Sequence, residues 1–257
     1  MPSLSVIALI RHGDYRQPVG VPSALLPYQL TDLGFQQARD AAASCVIYAE
    51  QNGLTIDPIL DSSMQLRAWQ TATLMAESFS EEQADVAAAF GVQEFSDLSE
   101  RSVGAVANLS VAAIELLLAE DPRYPSPPPG WKSNSHYCLP FQGAESLTEA
   151  GKRVAHHLQW RADQFDLLPN QLPNQLSKQL SKQLYNQQRL KIVVGHGAAI
   201  RHACVHLGLL DLESVSTISM HHARPVFVAK DDTGWHMVGG AWKSRSANND
   251  GDEIREG

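Results

Sequence analysis

Two short apolar runs in this 257-residue chain each deliver a histidine that has glycine beside it. Ser5–Ile10 leads into Arg11-His12-Gly13, and Leu190–Val194 leads into Gly195-His196-Gly197. A continuous apolar run of this length suits a strand buried on both faces, which presents its next residue at the end of the sheet. Gly13 and Gly197 then let backbone approach a ligand. Arg67, in Ser62-Ser63-Met64-Gln65-Leu66-Arg67, stands at the start of a helix that follows a strand. Free N–H groups and the helix dipole favour an anion there. The chemistry suggested is an anion held by cationic and hydrogen-bonding groups, with an imidazole that is neutral near pH 7 available as nucleophile.

Such a site needs elements that bring distant segments together. Thr31 to about Asn52 reads as a helix, with Thr31 as N-cap, Leu33, Ala38, Ala41, Ala42, Cys45 and Tyr48 at helical spacing, and Gly53 as the stop. Pro58–Leu60 is expected as a short strand, Asp61-Ser62-Ser63 as a turn, and about Leu66–Phe79 as a helix. Ala84–Phe95 is a further strand, weakened by Ala87–Ala89, and Val111–Glu120 is a short helix. Gly143-Ala144-Glu145-Ser146 opens a helix to about Phe165, with Ser146 and Glu149 at capping-box spacing. Ala198–Leu207 continues as a helix from the second histidine. Arg224–Lys230 and Trp235–Gly240 form a hairpin across Asp231-Asp232-Thr233-Gly234. Strands alternating with helices predict an α/β fold, a three-layer sandwich whose mostly parallel central sheet carries helices on both faces. Its binding crevice lies at the carboxyl ends of the strands.

The expected organisation is one domain over residues 1–242 and a polar, flexible tail over 243–257. Six prolines make 122–140 a lid-like loop. Residues 166–189 are a low-complexity insertion, built on five copies of a four-residue unit at 168–187. With 44% hydrophobic and 19% charged residues the chain can bury a core, and its formal charge of −8 argues against nucleic acid or an anionic membrane as partner. Cys45, Cys138 and Cys204 are too few and too scattered for a disulfide framework or a metal motif. No signal-peptide pattern or membrane span is apparent, so the expectation is a soluble, cytoplasmic protein. His202 and His206 lack the glutamate of a zinc-binding H-E-x-x-H pattern, and neither His156-His157 nor His221-His222 completes a ligand set. No metal and no cofactor are expected.

The motifs in order are Leu9-Ile10-Arg11-His12-Gly13, Leu30-Thr31-x-Leu33-Gly34-x-x-Gln37-Ala38, Ser62-Ser63-x-x-x-Arg67-Ala68-x-Gln70-Thr71-Ala72, Gly143-x-Glu145-Ser146 and Val194-Gly195-His196-Gly197. Together, over about residues 5–240, they resemble the histidine phosphatase superfamily and its phosphoglycerate-mutase-like fold. The resemblance implies a phosphohistidine mechanism in which His12 takes the phosphoryl group. Arg11, Arg67 and His196, with Gly13 and Gly197, would surround the phosphate. Glu100, in Leu98-Ser99-Glu100-Arg101-x-x-Gly104, is similar to the segment that supplies the general acid and base, and is preferred to its neighbours Glu94 and Asp97. Arginines aimed at phosphoryl oxygens can stabilise the transfer without a metal.

Within that superfamily the length and the proline-rich segment resemble the mutase branch. Other positions depart from it. Asp14-Tyr15-Arg16 replaces the segment after the first motif, the tyrosine of the acid segment falls on Val103, the carboxylate-binding lysine falls on Val111, and the paired arginines before the prolines are reduced to Arg123. The reading is therefore a metal-independent phosphomonoester hydrolase acting on a small phosphorylated substrate or a phosphoprotein. Phosphoglycerate-mutase-type transfer and a non-catalytic phosphate-binding module are the alternatives, and the sequence leaves the oligomeric state open.

Overall fold

Val6–Arg11 is β1, and its side chains alternate between two cores as a strand inside a three-layer sandwich requires. Val6, Ala8 and Ile10 pack with Ala41, Ala42 and Cys45 of α1 (Asp32–Asn52) and Ala68, Ala72 and Met75 of α2 (Leu66–Glu82). Ile7 and Leu9 pack on the other face with Ala150, Val154 and Leu158 of α4 (Leu147–Phe165) and Ala199, Ile200 and Ala203 of α5 (Gly197–His206). In this computed structural model, which describes residues 6–82, 90–165 and 188–245, the layers are those expected from the sequence.

Among the described residues the central sheet has seven strands. Along it run β4 (Gly91–Phe95), β3 (Ile59–Ser63), β5 (Arg189–Gly195), β1, β7 (Val226–Asp231) and β8 (Gly234–Gly239), and the two-residue β2 (Thr55–Ile56) also pairs with β5. The first four of this row are parallel, while β7 and β8 form the expected antiparallel hairpin. Two short strands, β6 (Ile218–Ser219) and β9 (Lys243–Ser244), pair separately, so the first residues of the expected tail are hydrogen-bonded strand. Residues 246–257 of the tail, the 168–187 repeat and the weak start of the Ala84–Phe95 strand lie outside the described residues.

Local signals placed the helix ends well. The Thr31 hydroxyl accepts from Gly34 N, and Gly53 stops α1 in the left-handed conformation at φ 64°. Ser146 and Glu149 close a reciprocal capping box, Ser146 N donating to Glu149 Oε2 at 2.7 Å and Glu149 N to Ser146 Oγ at 3.1 Å. α3 (Val111–Glu120) begins at the Ser110 cap. It forms a third cluster in which Ile114 and Leu118 meet Val103, Trp131 and Leu139, so the proline-rich excursion is packed on a core of its own.

One element differs from expectation. Asp61-Ser62-Ser63 is the end of β3, paired throughout with Gln93, Glu94 and Phe95 of β4. A polar triplet survives there because its side chains find partners. Asp61 is fully buried and receives Lys191 Nζ at 2.9 Å, Arg161 Nε at 2.5 Å and His157 Nε2 at 2.8 Å. Burial by itself would raise the carboxyl's pKa. Lys191 above all, with His157 and Arg161, reverses this and holds it well below the usual carboxylate range. Removing that carboxylate takes from Lys191, itself 3% exposed, its nearest counter-ion and leaves it the Ile59 carbonyl and Asp57 at 3.5 Å. Asp61→Ala is therefore expected to lower unfolding free energy by about 3–5 kcal/mol, read from urea denaturation at neutral pH. A loss of less than about 1 kcal/mol would show that the cluster is not a structural keystone.

Candidate active site

The site follows from strand register. β1 and β5 are parallel neighbours with Arg11 opposite Gly195, so the next residue on each chain is a histidine at the same level of the sheet. The rings of His12 and His196 lie 5.1 Å apart, and the backbone N–H of His12 donates to Gly195 O at 3.0 Å. β3, on the far side of β5, ends at Ser63, and α2 begins three residues later with Arg67 in its first turn.

Arg67 ties the two histidines together. Its Nε–H donates to His12 Nε2 at 3.1 Å and its Nη2 to His196 Nδ1 at 3.3 Å. Because a guanidinium can only donate, both of those ring nitrogens carry lone pairs. The other nitrogens bear the protons: His12 Nδ1–H donates to Gly13 O at 2.8 Å, and His196 Nε2–H to Ser63 Oγ at 2.9 Å. Burial first, and then the charges of Arg67, His196, Arg11 and His222, hold His12 well below the ordinary histidine pKa. His196 is lowered by burial and then by Arg67 and Arg11. His12 thus presents a neutral imidazole with its Nε2 lone pair turned to the cation.

The remaining Arg67 donors go to Leu26 O at 3.0 Å and Ala24 O at 3.1 Å, in the segment that follows the first motif. Tyr15 lies beneath, with the guanidinium carbon 4.7 Å from its ring centre, and its hydroxyl meets Ser23 Oγ at 2.7 Å. Thr71, one turn along α2, accepts from Gly13 N at 3.0 Å and donates to Arg67 O at 2.7 Å. Arg11 is buried and donates to Met220 O at 3.1 Å.

The two glycines serve packing. A Cβ on Gly13 would stand 2.7 Å from Gly34 O in α1, and one on Gly197 would stand 3.0 Å from the Arg11 side chain. Their bareness lets α1 and Arg11 approach the strand ends, and Gly197 also stands in the wall of the cavity beside them.

Glu100 is 5% exposed and shares the wall of a cavity of about 110 Å³ with Arg11 and Gly197. Its Oε1 accepts from Arg101 N at 2.8 Å, and its own N–H donates to Gln65 Oε1 at 3.2 Å. The loop is clamped from α4. Arg153 donates to Asp97 O at 2.8 Å and Ser99 O at 3.2 Å while pairing with Glu145 at 2.6 Å, and Glu145 Oε1 accepts from Ser102 N at 3.0 Å. Glu94 is exposed on β4, so of the three acids considered Glu100 is the one in the cavity wall. Among the described residues no group of three or more His, Cys, Asp or Glu side chains could hold a metal ion. His202 is engaged by Ala198 O and Ser135 Oγ, and His206 by Thr148 O.

Over residues 7–242 the chain matches the family model of the histidine phosphatase superfamily, branch 1. The chain belongs to that superfamily. Among solved structures it is similar to a mycobacterial glucosyl-3-phosphoglycerate phosphatase, at 18% identity and TM-score 0.62 over 94% of this chain and all of that one. The alpha-ribazole phosphatase from Shigella flexneri is comparable, at 17% identity and TM-score 0.62 over 95% of this chain and all of that one. No curated protein sequence matched the chain. Membership in the histidine phosphatase superfamily makes the protein a phosphoryl-transfer enzyme of the phosphatase or mutase-like type. Among its described residues no helix is long and apolar enough to cross a membrane.

Sequence reasoning missed Tyr15, Ser63 and His222. His222 backs the site, its ring 5.5 Å from that of His12, and burial first, then Arg11, lower its pKa to about 3. His202 is lowered to about 4, chiefly by burial. These histidines, with His12 and His196, bind protons more weakly folded than unfolded, so below about pH 6.5 the unfolded chain takes them up first. Stability present above that pH is therefore expected to fall as pH drops toward 4. Urea midpoints across pH 7.5 to 4 should decline, with a shallower decline in His202→Gln. A flat profile would contradict the buried, neutral histidines.

Proposed function

We propose that the protein is a metal-independent phosphomonoester hydrolase working through a phosphohistidine on His12, with Glu100 as general acid and base. The observation that carries this reading is the tautomer of His12. Its Nε2 lone pair faces Arg67 and its Nδ1–H is fixed on Gly13 O. An imidazole so held is neutral, oriented and next to the charge a phosphoryl group needs.

In the first half-reaction His12 Nε2 bonds to phosphorus as the ester P–O bond breaks, and Glu100 gives its proton to the departing alkoxide. Arg11 and Arg67 bear the charge on the phosphoryl oxygens, Arg67 Nε–H passing to one of them from the His12 Nε2 lone pair that now bonds phosphorus, and His196 joins them once a proton on Nδ1 replaces the lone pair that faces Arg67. In the second, water attacks phosphorus, Glu100 takes the water's proton, and the P–N bond breaks to release inorganic phosphate. Gly13 and Gly197 support this indirectly, by admitting α1 and the Arg11 side chain.

Hydrolysis is favoured over mutase-type transfer by three positions. Val103 has no phenol hydroxyl, Val111 has no charge, and Arg123 is exposed and occupied by Asp121 at 2.6 Å. Both named structural neighbours are phosphatases by their descriptions. The substrate is a small phosphorylated molecule or a phosphoprotein side chain, met in the cytoplasm. Free thiols at Cys45, Cys138 and Cys204 suit such a reducing compartment.

The purified protein in EDTA is expected to hydrolyse p-nitrophenyl phosphate, and His12→Ala to abolish the activity. Acid-labile, base-stable phosphate trapped on the protein should map to His12. Glu100→Gln should slow alkyl phosphates by about 10²–10⁴ and p-nitrophenyl phosphate by less, because nitrophenolate leaves without a proton. Undiminished turnover by His12→Ala would overturn the reading. Phosphoryl exchange between 3- and 2-phosphoglycerate in place of hydrolysis would favour the mutase, and no turnover at all would favour a binding module.

A further inference from the structure

The cavity beside the histidines carries more positive charge than a single phosphoryl group requires. Arg11, Arg101, Lys132, Arg201 and Arg245 line it against one carboxylate, Glu100, in a chain whose formal charge is −8. The fold accounts for Arg201, which is buried and donates to Val215 O at 2.7 Å, Gly197 O at 3.3 Å and the carbonyl of Ile218. Arg11 belongs with the reacting phosphoryl group in the function proposed above. Of the other three, Lys132 is the one whose charged group the fold does not account for.

Lys132 is the best placed of these, because its backbone is anchored from three sides. Gly130, at φ 69°, turns the chain into Trp131–Ser133. Trp131 is 2% exposed, packs with Ile114 and Leu118, and donates Nε1–H to Glu115 Oε1 at 3.0 Å. Arg101 Nη1 donates to Lys132 O at 3.2 Å, and its guanidinium carbon lies 5.9 Å from the Trp131 ring centre. The Lys132 side chain is half-buried in the cavity wall, and among the described residues its ammonium has no hydrogen-bond or ion-pair partner. A fixed backbone under an uncommitted ammonium is the arrangement that reads charge on a ligand at small entropic cost.

We propose that the enzyme selects phosphomonoesters bearing a second anionic group, a carboxylate or another phosphate, a few bonds from the ester oxygen, and that Lys132 recognises it while Arg101 positions the turn. This rests on the hydrolase reading, because the second group is located by a first phosphate seated at His12. A partly desolvated ammonium gains more from an anion than from a neutral hydroxyl, so selection appears as a lower KM for the doubly charged substrate.

Two matched pairs test it: 3-phosphoglycerate against glycerol 3-phosphate for a carboxylate, and 1,3-propanediol bisphosphate against its monophosphate for a phosphate. Wild type is expected to prefer the more anionic member of at least one pair by about tenfold in kcat/KM, and the pair that responds identifies the group. Lys132→Ala and Lys132→Glu should remove most of that preference through KM, Lys132→Arg should keep it, and added salt should shrink it. Ratios within about twofold for both pairs, or a preference untouched by Lys132→Glu, would overturn this inference and leave the hydrolase standing. Failure to hydrolyse any of the four would overturn this inference, and failure on p-nitrophenyl phosphate as well would overturn both.

Discussion

The parallel pairing of β1 with β5 is the constraint on which the site depends. Arg11 opposite Gly195 is the last pair of that ladder, and the residue after each is a histidine. A slip of one residue would turn every side chain of β1 to the other face of the sheet. Val6, Ala8 and Ile10 would then face the α4 and α5 layer, and Ile7 and Leu9 the α1 and α2 layer. Packing on both faces therefore fixes the register, and the register sets the separation of the imidazoles. Gly13 and Gly34 extend the same logic beyond the strand, since α1 can start so close to β1 only where neither residue has a side chain.

Two buried polar networks divide the polar work of the sheet, and their difference distinguishes scaffold from site. At Asp61 the carboxylate is met by Lys191, Arg161 and His157, so an anion buried in the sheet is matched by the lysine and arginine cations and hydrogen-bonded by the imidazole. At Arg67 the hydrogen-bond partners are two neutral histidines, loop carbonyls and the Gln65 amide oxygen, which satisfy the donors and leave the charge unneutralised. A closed ion cluster stabilises register, whereas an open one is costly unless something anionic completes it. Tyr15 eases that cost by placing its ring face against the guanidinium.

The sequence showed most clearly what is determined by neighbours along the chain. The Thr31 cap, the Ser146 and Glu149 box, the Gly53 stop and the Asp231–Gly234 hairpin depend on residues within a few positions of one another. Asp61-Ser62-Ser63 resembled a turn by composition, and only the distant Lys191, Arg161 and His157 make it a strand. Tyr15 and His222 carried no motif of their own, because each reaches His12 through a loop whose path local spacing does not encode. Gly13 and Gly197 stood out by type, but nothing local revealed that Gly34 and the Arg11 side chain would also come up against them.

Net charge was the weakest guide. A formal charge of −8 sums over the whole surface, but exposed acids more than about 8 Å away are screened at physiological salt and do not set the potential inside a cavity. What matters there is how each local carboxylate is occupied. Glu145 is paired with Arg153, and Arg153 spends its other donors on the carbonyls of Asp97 and Ser99. The clamp thus holds the loop by its backbone and leaves the Glu100 carboxylate with a single N–H, from Arg101. A carboxylate fixed in place yet lightly hydrogen-bonded suits the acid and base role proposed for Glu100, and the cationic side chains that share its cavity suit the anionic substrate proposed with it.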